Sequence, residues 1–126
     1  MTEEKRPLIL IADRQLATLL SLDALLSLEG YRVTTCSSSF EVLKAVARKK
    51  VDLVVAGRVG PERHATLVSK IKTISPETNV LVLTESDEDS IFAESIAAGA
   101  DGLLRRPYSE RELVERVNRL LHVMQT

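Results

Sequence analysis

Tryptophan is absent from the 126 residues, and two tyrosines and two phenylalanines are the only large rings. A core without bulky aromatics must be filled by Leu, Val, Ile and Ala, which suits helices packed on a sheet. A single cysteine, Cys36, excludes an internal disulfide, and no Cys/His spacing resembles a zinc site, so a reducing compartment is expected. No apolar run approaches membrane-spanning length, and the opening "MTEEKRP" has no apolar stretch of the kind a signal peptide needs. Neither sign of charge dominates: the formal net charge is -1, which provides no global field for drawing in nucleic acid. These absences describe a cytoplasmic domain, attached to neither membrane nor nucleic acid, whose partners are found by shape and local patches.

What is present is a repeating order. Short apolar runs, "LILIA" (8 to 12), "DLVVA" (52 to 56) and "VLVLT" (80 to 84), are unbroken enough to be buried on both faces, and "YRVTTC" (31 to 36) and "GLLR" (102 to 105) are shorter candidates. Helical periodicity fills the gaps at about 15 to 28, 38 to 49, 63 to 74, 87 to 98 and 109 to 124. The last helix is best marked: Ser109 and Glu112 have capping-box spacing, and Leu113, Val117, Leu120, Leu121 and Met124 make one stripe. Gly30 and Gly99 stand where helix C-caps belong. Five strand-helix units predict one domain over 1–126, with a core from about 7 to 124. The class is α/β: a three-layer, doubly wound (βα)5 sandwich of the flavodoxin-like type around a parallel five-stranded sheet.

Such sheets bind ligands beyond the carboxyl ends of their strands, here "ADRQ" (12 to 15), "AGRVGP" (56 to 61), "LTES" (83 to 86) and "RRPYS" (105 to 109). From Leu8 to Leu121 the chain resembles the receiver domain of bacterial two-component response regulators. The resemblance rests on "ILIADRQ", "EGYRV", "VDLVVAGRVGP", "VLVLTES" and, most specifically, "AAGADGLLRRPYSERELVERV" (97 to 117). It implies strand order 2-1-3-4-5 and a signalling module, not an enzyme. In that family an aspartate after the third strand accepts a phosphoryl group with the help of Mg²⁺ held by acids after the first. A hydroxyl residue and a lysine contact the phosphoryl oxygens, and an aromatic on the fifth strand responds. The chemistry needs a carboxylate nucleophile, a hard cation on oxygen ligands, and donors for developing charge.

Matched position by position, this chain departs from the pattern. Asp13 keeps the first acid, but Arg14 takes the second; Gly57 stands at the nucleophile's place; Thr84 is retained, followed by Glu85; Arg106 replaces the lysine; Leu103 stands at the aromatic switch. The resemblance therefore implies a degenerate receiver with no phosphoacceptor aspartate, no cofactor, and Mg²⁺ binding lost or weak. Asp52 is no substitute, since it opens its strand at the far end. Three arrangements remain open for the altered pocket. Arg14 or Arg106 reaches Asp13 in a salt bridge, or Arg14 and Arg58 point to solvent, or Arg14, Arg58, Arg106 and Thr84 form a small anion site. His64 and His122 lack partners at metal or catalytic spacing and are expected on the surface.

Two surfaces suggest partners. In the first helix Thr18, Ser21, Leu22 and Leu25 are grouped on one side and Leu16, Leu19, Leu20 and Leu26 on another. Either one stripe is exposed as a docking face, for which Leu16, Leu19 and Leu20 are the candidates, or both are core. The acids Glu85, Asp87, Glu88 and Asp89 and the cations Arg105, Arg106, Arg111, Arg116 and Arg119 would serve a homodimer through the fourth helix, fifth strand and fifth helix, which the family commonly uses. The partners implied by the resemblance are a histidine kinase, a phosphotransfer domain or an output domain, and no output domain is visible in the chain.

Overall fold

The computed structural model describes residues 6–85 and 89–123. Met124, Asp87, Glu88 and most of the "MTEEKRP" segment lie outside these residues. The elements alternate as expected: β1 (Leu8–Ala12), α1 (Leu16–Leu28), β2 (Arg32–Cys36), α2 (Ser39–Arg48), β3 (Leu53–Ala56), α3 (His64–Ile74), β4 (Asn79–Thr84), α4 (Asp89–Ala97), β5 (Gly102–Arg105) and α5 (Glu110–Val123). All neighbouring strands are parallel, in the order β2-β1-β3-β4-β5.

The pleat sorts each strand's residues between two cores. Leu10, Ala12, Val54, Ala56, Val80 and Val82 pack with Val42 and Val46 of α2 and Leu67, Val68 and Ile71 of α3. Their neighbours Ile9, Ile11, Leu53, Val55, Leu81 and Leu83 pack with Leu19, Leu22 and Leu26 of α1 and Leu113, Val117 and Leu121 of α5. This explains why the central runs read as unbroken apolar sequence: both faces are covered. Leu103 lies against the first of these cores, half-buried.

Polar side chains set the helix starts and the far edge of the sheet. Ser109 and Glu112 form the predicted box, with the Glu112 N–H donating to Ser109 Oγ at 3.0 Å and the Ser109 N–H to Glu112 Oε1 at 3.2 Å. Gly30 and Gly99 have φ of 95° and 111°, the left-handed conformation that a helix end requires and that a side chain resists. Asp52 accepts the Leu8 N–H at 2.8 Å, on the amino side of the sheet. Asp101 accepts the Val80 N–H at 2.8 Å and pairs with Lys72 at 2.8 Å. Both aspartates therefore cap the amino ends of strands, away from the site.

The α1 surface corrects the sequence reading. Leu19, expected beside Leu16 and Leu20 on a docking face, is only 6% exposed, while Leu16 is 67% and Leu20 60% exposed. At 100° per residue Leu19, Leu22 and Leu26 fall within one narrow arc, so the core stripe draws from both expected groups. Leu16 and Leu20 remain as an exposed i,i+4 pair.

Candidate functional site

The register brings four strand ends to one edge. Ala12 lies opposite Ala56, Ala56 opposite Val82, and Thr84 opposite Arg105, so the residues that follow converge there. Backbone bonds tie the loops together: the Gly57 N–H donates to Ala12 O at 2.8 Å, the Arg14 N–H to Arg58 O at 2.9 Å, and the Arg106 N–H to Thr84 O at 2.8 Å. The Arg106–Pro107 peptide bond is cis. Asp13, Gly57, Thr84 and Arg106 all line one cleft of about 530 Å³, as the sequence anticipates.

Asp13 is the centre of this edge and is 4% exposed. Its Oδ1 accepts the Gln15 N–H at 2.8 Å, a short-range turn bond that turns the carboxylate inward. Its Oδ2 accepts Arg106 Nη2 at 3.4 Å. Arg106 also lies 3.9 Å from the exposed Glu85 and 6.0 Å from the Tyr108 ring. Of the arrangements left open by the sequence, the salt bridge forms with Arg106, while Arg14 and Arg58 are exposed.

The carboxylate of Asp13 occupies space that Gly57 leaves free. A Cβ at position 57 would overlap Asp13 Oδ2 and stand 3.1 Å from its Cγ and 3.2 Å from the Ala12 carbonyl oxygen. Gly57 has no positive φ, so close approach and not backbone conformation is what glycine permits here. The buried ion pair and the small residue are therefore one arrangement: an acid on β1 and a guanidinium on β5 close over a backbone with no side chain.

The outer part of the cleft lies between α3 and α4 and was not anticipated. His64, expected on the surface, is half-buried and lines the cleft. Its imidazole pKa is pushed down, first by burial and then by the Arg58 charge, against the pull of a hydrogen bond with the Leu83 backbone and of Asp13. His64 Nε2 and Ser95 Oγ are buried with no hydrogen-bond partner. Arg63, at the start of α3, grips Glu94 of α4 through Nε at 3.0 Å and Nη2 at 2.5 Å. Sequence reasoning missed His64 and Ser95 because neither stands in a spacing that marks chemistry; only the fold carries β4, α3 and α4 to one wall. His122 is exposed, as expected.

The expected partner surfaces are less free than their sequence suggests. Arg105 stacks over the Phe92 ring at 4.4 Å, Arg116 donates to Leu103 O at 2.7 Å, and Arg111 pairs with Glu115 on its own helix at 2.9 Å. With Arg106 held at Asp13, most cations assigned to a charge-paired dimer are already engaged within the chain.

A model of the response regulator receiver domain matches residues 9–118. Response regulator MprA of Mycobacterium leprae is 32% identical over 114 residues, covering 90% of this chain and 50% of that protein. Response regulator SaeR of Staphylococcus epidermidis is 32% identical over 94 residues, covering 74% of this chain and 41% of that protein. The chain thus spans half or less of the length of these curated relatives. The solved receiver domain protein from Methanospirillum hungatei JF-1 has the same fold, with a TM-score of 0.90 at 24% identity over 96% of this chain and 98% of that one. No helix among the described residues is long and apolar enough to cross a membrane. The chain belongs to the response regulator receiver family, whose members are signalling modules, not enzymes, that work with histidine kinases and output domains.

Proposed function

We propose that this chain is a degenerate receiver that takes no phosphoryl group at the end of β3 and signals in the cytoplasm through protein contact. The observation that carries the reading is the filled space at Gly57. An aspartyl phosphate needs a carboxylate oxygen projecting from that position, and glycine supplies none. The neighbouring Asp13 places its own carboxylate in the gap and is committed to Gln15 and Arg106.

The same commitment disfavours Mg²⁺. A hard cation of this kind needs several oxygen ligands, with one or two carboxylates contributing. Among the described residues the one buried acid is neutralised by a guanidinium, Arg14 follows it in sequence, and no group of three potential ligands forms. Arg106 supplies Asp13 with the positive charge that the carboxylate would otherwise offer to a cation. Leu103 in place of an aromatic leaves no ring to report occupancy. On this reading the domain rests in one state or is moved by a partner whose binding favours another.

Contact falls on the outer surface of α1, where Leu16 and Leu20 are exposed together, and on partners of the kinase, phosphotransfer or output class. A homodimer through α4, β5 and α5 retains the exposed Arg119 and Asp89 but has fewer free cations than its sequence promised. A second reading, a small anion or ligand sensor, is favoured by the exposed Arg14 and Arg58 beside the buried His64 and Ser95 atoms.

An amide-resolved NMR titration with Mg²⁺ and then beryllofluoride, a phosphoryl mimic, tests the main reading at Asp13, Gly57, Thr84 and Arg106. No saturable shift at millimolar Mg²⁺, with or without the mimic, is expected. Saturable shifts confined to these residues would overturn it.

A further inference from the structure

We infer that the outer half of the cleft, between α3 and α4, binds a small organic acid that also carries a hydroxyl or N–H donor. The cleft's volume of about 530 Å³ falls in the range of small-molecule sites. Two features of its wall ask for a ligand. Buried polar atoms are nearly always hydrogen-bonded, yet His64 Nε2 and Ser95 Oγ both lack a protein partner, and Ser95 is wholly buried. A serine inside a helix can bond back to the carbonyl one turn earlier, and Ser95 does not.

The chemistry of the two atoms narrows the class. The Leu83 backbone favours the protonated His64 ring, as a carbonyl accepting a ring N–H does, which assigns the proton to Nδ1 and leaves the unpartnered Nε2 as an acceptor. Burial and Arg58 keep the ring neutral near pH 7, which preserves that acceptor. A ligand must therefore bring a donor to Nε2, and the Ser95 hydroxyl can complete the contact as donor or acceptor. Arg58 is close enough to act on the imidazole and is itself exposed, so an anionic end of the ligand lies toward it. Arg14, likewise exposed, lines the same cleft, while Arg63 is committed to Glu94 and Arg106 to Asp13. The site thus separates a neutral hydrogen-bonding floor from a mouth that carries the exposed Arg14 and Arg58, with Glu62 and Glu85 on the same rim, and it is independent of whether the β3 end takes a phosphoryl group.

L-malate and succinate differ by one hydroxyl and serve as the probe pair. Titrated into the full chain by calorimetry, malate should saturate in the millimolar range or tighter, with succinate about tenfold weaker, the factor expected for one unmade hydrogen bond to a buried acceptor. Ser95→Ala and His64→Phe should each weaken malate by a similar factor, Arg58→Ala should weaken both acids, and His64→Gln, which keeps an acceptor, should recover part of the loss. Nitrogen-detected NMR of the imidazole supplies a readout that mere packing does not move: malate should shift Nε2 and leave Nδ1 protonated. Failure of both acids to saturate, equal binding of the two, or malate binding unchanged in both His64 variants would each overturn the inference.

Discussion

Gly57→Ala is the substitution in which ordinary expectation and this structure give opposite signs. Gly57 does not use a left-handed backbone, and replacing such a glycine by alanine commonly stabilises a protein by about 0.4–1 kcal/mol through the unfolded chain. Here the new methyl would overlap Asp13 Oδ2 and crowd Cγ at 3.1 Å. The carboxylate is not a loose chain end: it is buried and anchored by the Gln15 N–H and by Arg106. Moving it forfeits two bonds to a charged group, each worth about 1.5–3 kcal/mol before water at the cleft repays part. A net destabilisation of about 1–3 kcal/mol is expected, read as a lower urea midpoint at unchanged m-value. A double-mutant cycle isolates the cause. In an Asp13→Ala background the main obstacle is gone and only the Ala12 carbonyl oxygen at 3.2 Å still crowds the methyl, so Gly57→Ala should become close to neutral, with a coupling above about 1 kcal/mol. A stabilised single variant, or equal effects in the two backgrounds, would refute the claim that Asp13 fills the space over Gly57.

Three further outcomes follow from the same coordinates. Arg106→Met should cost about 1–3 kcal/mol in urea unfolding by leaving the buried Asp13 with one protein donor, and Arg106→Lys should cost less; equal losses would place the effect in packing instead of charge. His64 titrates below the ordinary 6.5, so the unfolded chain binds its proton first as pH falls. The stability given by its neutral ring is full above that value and is lost as pH drops toward the depressed native pKa. Urea midpoints of the native chain should therefore fall faster between pH 7 and 5 than those of His64→Phe, and parallel curves would contradict this. Cys36 is buried with its thiol pushed up to about 11, chiefly by desolvation, so aromatic-disulfide labelling at pH 7.5 should be far slower in the folded than in the urea-unfolded chain.

Most of the fold was legible because its signals are local. Unbroken apolar runs marked β1, β3 and β4, Ser109 and Glu112 marked the start of α5, and Gly30 and Gly99 marked two helix ends. The strand ends could be named as the site for the same reason: in a parallel sheet, position along the strand fixes which edge a residue occupies. What the sequence left open were choices among side chains. Asp13 had two arginines available, and only the fold decides that Arg106, arriving from β5, pairs with it while Arg14 turns outward. The leucines of α1 were misgrouped at Leu19, because a helix this rich in leucine hides which arc faces the sheet. His64 and Ser95 stand 31 residues apart with no shared motif; burial, a property of the assembled layers, is what sets them apart.

Intact-mass spectrometry after incubation with acetyl phosphate and Mg²⁺ tests the central claim most directly, with the receiver portion of a curated relative such as MprA treated in parallel as the positive control. The mass of this chain should remain unchanged under conditions that label the control, because no carboxylate stands at position 57 to accept the group. A phosphoryl adduct on the native chain, released by hydroxylamine as an acyl phosphate is, would contradict the account.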